Sequence, residues 1–260
     1  MIKRILLISL VVGIATVLSA ETKERWQEQR SRHFYIFYKS APKDFVDAVE
    51  KAAEGYYDEI INNLGFSGYR RWSFEERAKI YIYDDREDYL NSAKQAAWSH
   101  GAAYFHQKTI RTFPAAHGFF DSILPHELGH IIFRDFIGPS ASVPLWIDEG
   151  VAMYQERAKR WGAHKTVQAA IEQGNFIPLR QLSRIRLRGD LTQAEIDLFY
   201  AESASVINFM IKEMGEHRFR DFCRKLRLGQ SFYQALKNAY ARFSELQDLE
   251  DAWLNYLQRQ

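Results

Sequence analysis

The sequence predicts an α+β fold: an N-terminal mixed β-sheet with helices, then a mainly α-helical C-terminal part. Three observations predict it. Strand-like segments occur only before residue 114, and from residue 119 nearly every stretch carries helical periodicity. The chain is also 47% hydrophobic and 15% aromatic with only 6 prolines, which excludes a disordered or low-complexity protein. No fixed-period repeat or flexible linker interrupts it, so residues 21–260 read as one domain. Within that domain, about 30–137 form a sheet-bearing part and about 138–260 a helical part.

Residues 33–38 (His-Phe-Tyr-Ile-Phe-Tyr) are aromatic and β-branched, a strand pattern. Pro42 opens a helix to about Leu64, with apolar positions at Phe45, Val49, Ala52, Ala53, Tyr56 and Ile60. Residues 78–83 (Ala-Lys-Ile-Tyr-Ile-Tyr) give a second strand. Residues 84–97 read as a helix capped by Asp85, with Glu87 in its first turn. Residues 101–113 form a weakly patterned extended segment near a sheet edge. The helices that follow break at 138–144, 174–178, 188–190 and near Gly229.

The first twenty residues stand apart. Lys3 and Arg4 precede an apolar run from Ile5 to Leu18, and Ser19-Ala20 precedes Glu21. This is the pattern of a secretory signal cut after Ala20; the competing reading is an uncleaved anchor. The whole chain carries 35 Lys+Arg against 33 Asp+Glu, and without the leader the two signs balance at 33 each. That balance excludes a strongly basic nucleic-acid binder. Cys223 is the only cysteine, so no intrachain disulfide forms, and its apolar neighbours mark it as a small buried residue. An exported chain without disulfides suits a bacterial periplasm or cell exterior, free or tethered through the leader.

The chemistry is concentrated in His126-Glu127-Leu128-Gly129-His130. Residues four apart share a helix face, so His126 and His130 can bind one metal ion, the signature of a zinc peptidase helix. Glu127, beside the first histidine, can reach an attacking water without having to bind the metal. Gly129 leaves room for a close neighbour. Pro125 requires the helix either to kink or to begin near Ser122, with proline in its first turn. A third ligand is needed, and Glu149 in Trp146-Ile147-Asp148-Glu149-Gly150-Val151-Ala152 supplies it from a second helix that Gly150 and Ala152 let approach. The competing reading of Glu149 is a solvated carboxylate, which its apolar setting disfavours. Asp148 points away on a helix and reads as a cap or an orienting group.

These two segments resemble the gluzincin zinc metallopeptidases, in particular the peptidase MA-like domains related to the thermolysin and aminopeptidase catalytic modules. The resemblance spans roughly residues 30 to 257. It implies a zincin-like fold and one zinc ion held by His126, His130 and Glu149, with Glu127 as general base. The segment Phe199-Tyr200-Ala201-Glu202 is similar to the one where related aminopeptidases carry an oxyanion-stabilising tyrosine, which makes Tyr200 the second catalytic candidate; an amphipathic aromatic at a helix start is the plainer reading. The implied reaction is hydrolysis of a peptide or protein substrate by a water that the metal activates and Glu127 deprotonates. Aminopeptidases of this group bind the substrate amine with an acid on an edge strand, and Gly101-Ala102-Ala103-Tyr104-Phe105 has none, so endopeptidase action is expected. Met153 stands where thermolysin-like enzymes carry an aspartate that holds a zinc histidine; Glu156 is the substitute candidate, with an ion pair to Lys159 or Arg160 as its rival role. The other outcomes are a non-catalytic binding module that keeps the fold and a zinc hydrolase of a non-peptide bond.

The remaining histidines carry less. His100, His106 and His117 read as loop residues that could line the cleft, and His33, His164 and His217 show no partner pattern. Tyr81, Tyr83, Tyr89, Trp98, Tyr104 and Phe105 read as core, and Arg180, Arg184, Arg186 and Arg188 as a solvated face able to meet an anionic surface.

Overall fold

The computed structural model describes residues 26–68, 71–93, 102–104, 107–114, 117–187 and 191–260. The leader, residues 94–97 of the expected second helix, His100, His106, Trp98, Phe105 and Arg188 lie outside them.

Strand β2 (Phe34–Tyr38) and strand β3 (Ala78–Ile82) bury alternate residues, Phe34 and Ile36 on one and Ala78, Ile80 and Ile82 on the other. They pair in parallel, with Ile36 opposite Ile80. Parallel neighbours need a long crossover, and helix α1 (Lys43–Asn63) provides it, starting at Pro42 as expected. Its buried face runs Val46, Val49, Ala53, Tyr57 and Ile60; Phe45, Ala52 and Tyr56 are only partly buried, so the stripe is turned by about one residue from the expected one. Helix α2 (Arg86–Ala93) is capped as predicted, Asp88 N–H donating to Asp85 Oδ1 at 2.8 Å.

Two features of the sheet differ from the sequence expectation. Strand β1 (Gln27–Arg30) pairs antiparallel with β2; its Gln-Glu-Gln-Arg sequence is almost wholly exposed and carries no alternation to reveal it. The extended segment 101–113 is two antiparallel strands, β4 (Ala102–Tyr104) and β5 (Thr109–Thr112). The resulting five-stranded mixed sheet has the order β1-β2-β3-β5-β4, so β4 is the edge and β5, parallel to β3, lies inside it. The fold is α+β.

The helical half comprises α3 (Leu124–Ile137), α4 (Leu145–Gln155), α5 (Arg157–Glu172), α6 (Leu179–Leu182), α7 (Gln193–Asn208), α8 (Glu216–Arg227), α9 (Phe232–Ala239) and α10 (Leu246–Leu257). Loops at 138–144 and 174–178, and the turn around Gly229, fall where expected. Pro125 is accommodated in the first turn of α3, the second of the two expected devices, with the α-helix starting two residues later than Ser122. A π-helical turn, Phe119–Ile123, leads into α3, which starts at Leu124 with Pro125 in its first turn. Cys223 is fully buried on α8, and burial pushes its thiol up.

Helix α4 is the centre of the molecule. Every residue from Trp146 to Gln155 is buried except Glu149, and a helix apolar all round must be enclosed on all sides. Each of Trp146, Ile147 and Val151, fully buried, contributes about 1.5–3 kcal/mol. Glycines set the distances. A Cβ on Gly129 of α3 would meet Ala152 Cα at 3.0 Å, and one on Gly150 would meet the Ser203 carbonyl oxygen of α7 at 2.5 Å. Side chains there would push α3, α4 and α7 apart. Among the described residues no helix is long and apolar enough to cross a membrane.

Candidate metal centre

The half-buried residues of α3 are His126, Glu127, His130, Arg134 and Asp135, set among buried apolar neighbours. His126, His130 and Arg134 follow one another at four-residue spacing and form one polar face. Helix α4 lays Glu149, its one polar residue that is not buried, against that face. The ligand-bearing atoms of His126, His130 and Glu149 lie within 4.8 Å of one another. His126 Nε2 and His130 Nε2 are 3.2 Å apart, and each is 3.6 Å from Glu149 Oε2. The point equidistant from the three atoms is about 2.0 Å from each, inside the usual range for zinc–nitrogen and zinc–oxygen bonds.

The ring nitrogens that point away from this triangle are both held by carboxylates. His126 Nδ1 is 2.9 Å from Glu156 Oε1, and His130 Nδ1 is 3.4 Å from Asp148 Oδ1. Carboxylates at these positions fix each imidazole so that Nε2 faces the triangle. Glu156 also accepts from Ser122 Oγ and pairs with Lys159 at 2.8 Å. Its two candidate roles are therefore filled together. Asp148 is clamped by Arg134 Nε and a terminal guanidinium nitrogen at 3.0 and 2.7 Å, and Arg134 also donates to the Ala141 carbonyl at 3.2 Å.

The electrostatics calls for a cation. Burial opposes the charged form of both histidines, yet the carboxylates around them raise both above the ordinary imidazole value. Burial likewise opposes ionisation of Glu149, and the two imidazoles hold it well below the usual carboxylate range. The carboxylates that favour a cationic imidazole would equally favour a divalent cation held between the ligand atoms. The donor set of two imidazoles and one carboxylate fits zinc with one position left open.

A cleft of about 520 Å³ opens over this centre, lined by His126, Glu127, Glu156, Lys159 and Tyr200 among others. Glu127 has no hydrogen-bond partner among the described residues. Tyr200 stands on α7, half-buried, and burial together with Glu149, Glu127 and Glu156 pushes its phenol up, so it remains a donor. The structure thus brings the five sequence-predicted residues, His126, Glu127, His130, Glu149 and Tyr200, to one cleft and its floor. It does not bring His117, which is exposed and off the cleft. His33 and His164, without a partner pattern in sequence, are structural: His33 pairs with Glu54, and His164 lies 2.8 Å from Ser205 Oγ and 2.6 Å from Asn208 Nδ2. Sequence reasoning missed Ser122 and Arg134. Arg134 carried a signal, standing one turn past His130; Ser122 carried none.

No curated protein matches the chain. The family model described as Peptidase MA superfamily matches residues 72–259, which include α3, α4, α7 and every residue of the centre. A match over most of the length, on a fold that sets two histidines of one helix against a glutamate of the next, shows that the chain belongs to the Peptidase MA superfamily.

Proposed function

We propose that this chain is a zinc-dependent endopeptidase, with one zinc ion held by His126, His130 and Glu149. The observation that carries the reading is the triangle of ligand atoms, 3.2, 3.6 and 3.6 Å on its sides, facing a cleft that also holds Glu127 and Tyr200. Zinc in such a site supplies a Lewis acid that polarises the carbonyl and lowers the pKa of water. The protein's own groups do the rest. Glu127, adjacent to His126 in sequence and free of a hydrogen-bond partner among the described residues, takes the proton of the attacking water. With the new C–O bond formed in that attack, it then delivers the proton to the peptide nitrogen as the C–N bond breaks. Tyr200 donates its hydroxyl hydrogen to the carbonyl oxygen as negative charge develops there. Glu156 and Asp148 keep the imidazoles oriented. Edge strand β4 and its flanks, Gly-Ala-Ala-Tyr-Phe, bear no acid to bind a substrate amine, which supports cleavage within a chain over removal of its first residue.

Export is part of the proposal: the basic, apolar and small-residue order of residues 1–20 supports a periplasmic or external enzyme, cleaved or tethered. The test is elemental analysis of the purified chain and hydrolysis of a mixed peptide pool, with Glu127→Gln beside the wild type. One zinc per chain is expected in both proteins, with turnover lowered about 10²–10⁴-fold in the variant. A zinc-free wild type, or equal turnover by the two, overturns the reading.

A further inference from the structure

The cleft over the metal centre continues past Tyr200. A second cavity of about 890 Å³ lies between α5 and α7, and Thr166 and Asp197 line both spaces. The lining residues Lys159, Ala163, Thr166 and Ala170 of α5 and Gln173, which caps it, recur at helical spacing, so a single face of the helix borders the whole groove. From Lys159 to Gln173 that face is about 20 Å long at 1.5 Å per residue. An extended chain rising about 3.3 Å per residue covers it with about six residues.

The lining suits the main chain of an extended peptide. Gln173, Asn175 and Gln181 are exposed at the far end, and their side-chain amides bond to no described residue. A carboxamide offers a donor and an acceptor together, the complement of a peptide unit. Ile177, Ile185 and Leu198 give the groove an apolar surface for side chains. The wall at Ile177 is fixed, because its N–H donates at 2.8 Å to Glu202, a fully buried residue of α7. From Thr166 outward no lining residue among those described is basic. Asp197, at the junction of the two spaces, is exposed, accepts from Gln193 Nε2 at 2.8 Å and has no ion-pair partner among the described residues.

We propose that this groove holds about six residues of an extended peptide on one side of the scissile bond, with a basic side chain beside Asp197. The inference rests on the peptidase reading and names its substrate class: unfolded or loop segments carrying lysine or arginine, rather than short peptides.

The test uses the full chain carrying Glu127→Gln, so that binding is read without turnover. Labelled peptides reaching about two or about six residues to that side, with lysine or glutamate facing Asp197, are titrated by fluorescence anisotropy. The longer lysine peptide is expected to bind about tenfold or more tighter than the shorter one. Asp197→Lys is expected to lower the lysine-over-glutamate preference about tenfold, and Ala194→Trp, exposed on α7 in the groove wall, to shrink the length advantage. Zinc content and circular dichroism establish that the variants are folded. Affinity indifferent to length, or a preference unmoved by Asp197→Lys, overturns the proposal. If wild type cuts peptides of every length alike while binding is blind to length, the groove fails and the peptidase reading stands. If binding discriminates as described but wild type cuts nothing, the peptidase reading fails and the groove stands as a peptide-binding site.

Discussion

The two ends of α4 hold the two histidines by different means. At its start, Asp148 faces His130 and is clamped by two guanidinium nitrogens of Arg134, and all three residues are mostly enclosed. Past its last turn, Glu156 faces His126, but its other partners are the Ser122 hydroxyl and Lys159, whose side chain is 53% exposed. Both carboxylates serve the same purpose at the imidazole. They differ in what they would leave behind. Removing Asp148 takes a two-point carboxylate contact from an arginine that is mostly enclosed, whereas removing Glu156 releases a lysine to water.

The largest effect is therefore expected at Asp148. Asp148→Asn keeps an acceptor near His130 Nδ1 but replaces the carboxylate that two nitrogens of Arg134 meet with a neutral amide. Breaking a buried pair from one side costs about 3 kcal/mol, and loss of a carboxylate behind a metal histidine lowers metal affinity about 10–100-fold. Denaturant unfolding and zinc competition titrations measure the two. A variant as stable as wild type would show that Arg134 is as well solvated as Lys159, and the contrast between the ends would vanish.

A third buried carboxylate sharpens the comparison, because it has no ion-pair partner among the described residues. Glu202 of α7 is fully buried; Oε1 accepts from Ile177 N–H at 2.8 Å, and Oε2 has no partner among the described residues. Burial raises its carboxyl to about 8, with Glu250 adding repulsion against the single backbone hydrogen bond. Asp148 and Glu156, buried beside cations, move the opposite way. Since the folded value lies above the unfolded one, the contribution of Glu202 to stability is full below about pH 4.5 and is lost as pH rises to about 8. Glu202→Gln keeps the acceptor and removes the ionisation. It should be more stable than wild type above pH 8 by on the order of 4 kcal/mol, and within about 1 kcal/mol of it at pH 5. Unfolding curves of both proteins across that range test it; a difference independent of pH would mean that Glu202 does not titrate there.

What the sequence disclosed follows the same division between local and distant causes. His126, Glu127 and His130 were legible because one helical turn fixes their relation, and Glu149 because an acid in an apolar run needs a partner. Asp148 was legible as an orienting group but not its object, which depends on the crossing of α3 and α4. The break at Glu156 was invisible. Gln155-Glu156-Arg157 are good helix formers, yet Glu156 is extended, with φ −78° and ψ 97°, and its carboxylate reaches Ser122 and His126 across the fold. Tertiary bonds to a buried charge outweigh propensity there. Strand β1 was hidden for a related reason: an exposed strand is specified by its neighbour β2 and not by its own Gln-Glu-Gln-Arg. The α+β division, by contrast, was written in periodicity along the whole chain.

Glu156→Gln should give the smallest effect, and it discriminates best between the two ends. The glutamine oxygen can still accept from His126 Nδ1, and its amide nitrogen can turn toward the Ser122 oxygen, so no buried atom is stranded. Lys159, half in water, loses a partner worth little at the surface. Stability should change by less than about 1 kcal/mol, while zinc affinity falls about tenfold because an amide orients the imidazole without adding to its basicity. A drop in metal affinity without a drop in stability would separate orientation of the ligand from cohesion of the fold at this end, a separation that Asp148 does not permit. Equal losses at both ends would mean instead that the extended turn at Glu156 is itself held by the carboxylate charge, and that Lys159 and Ser122 matter to the fold as much as Arg134 does.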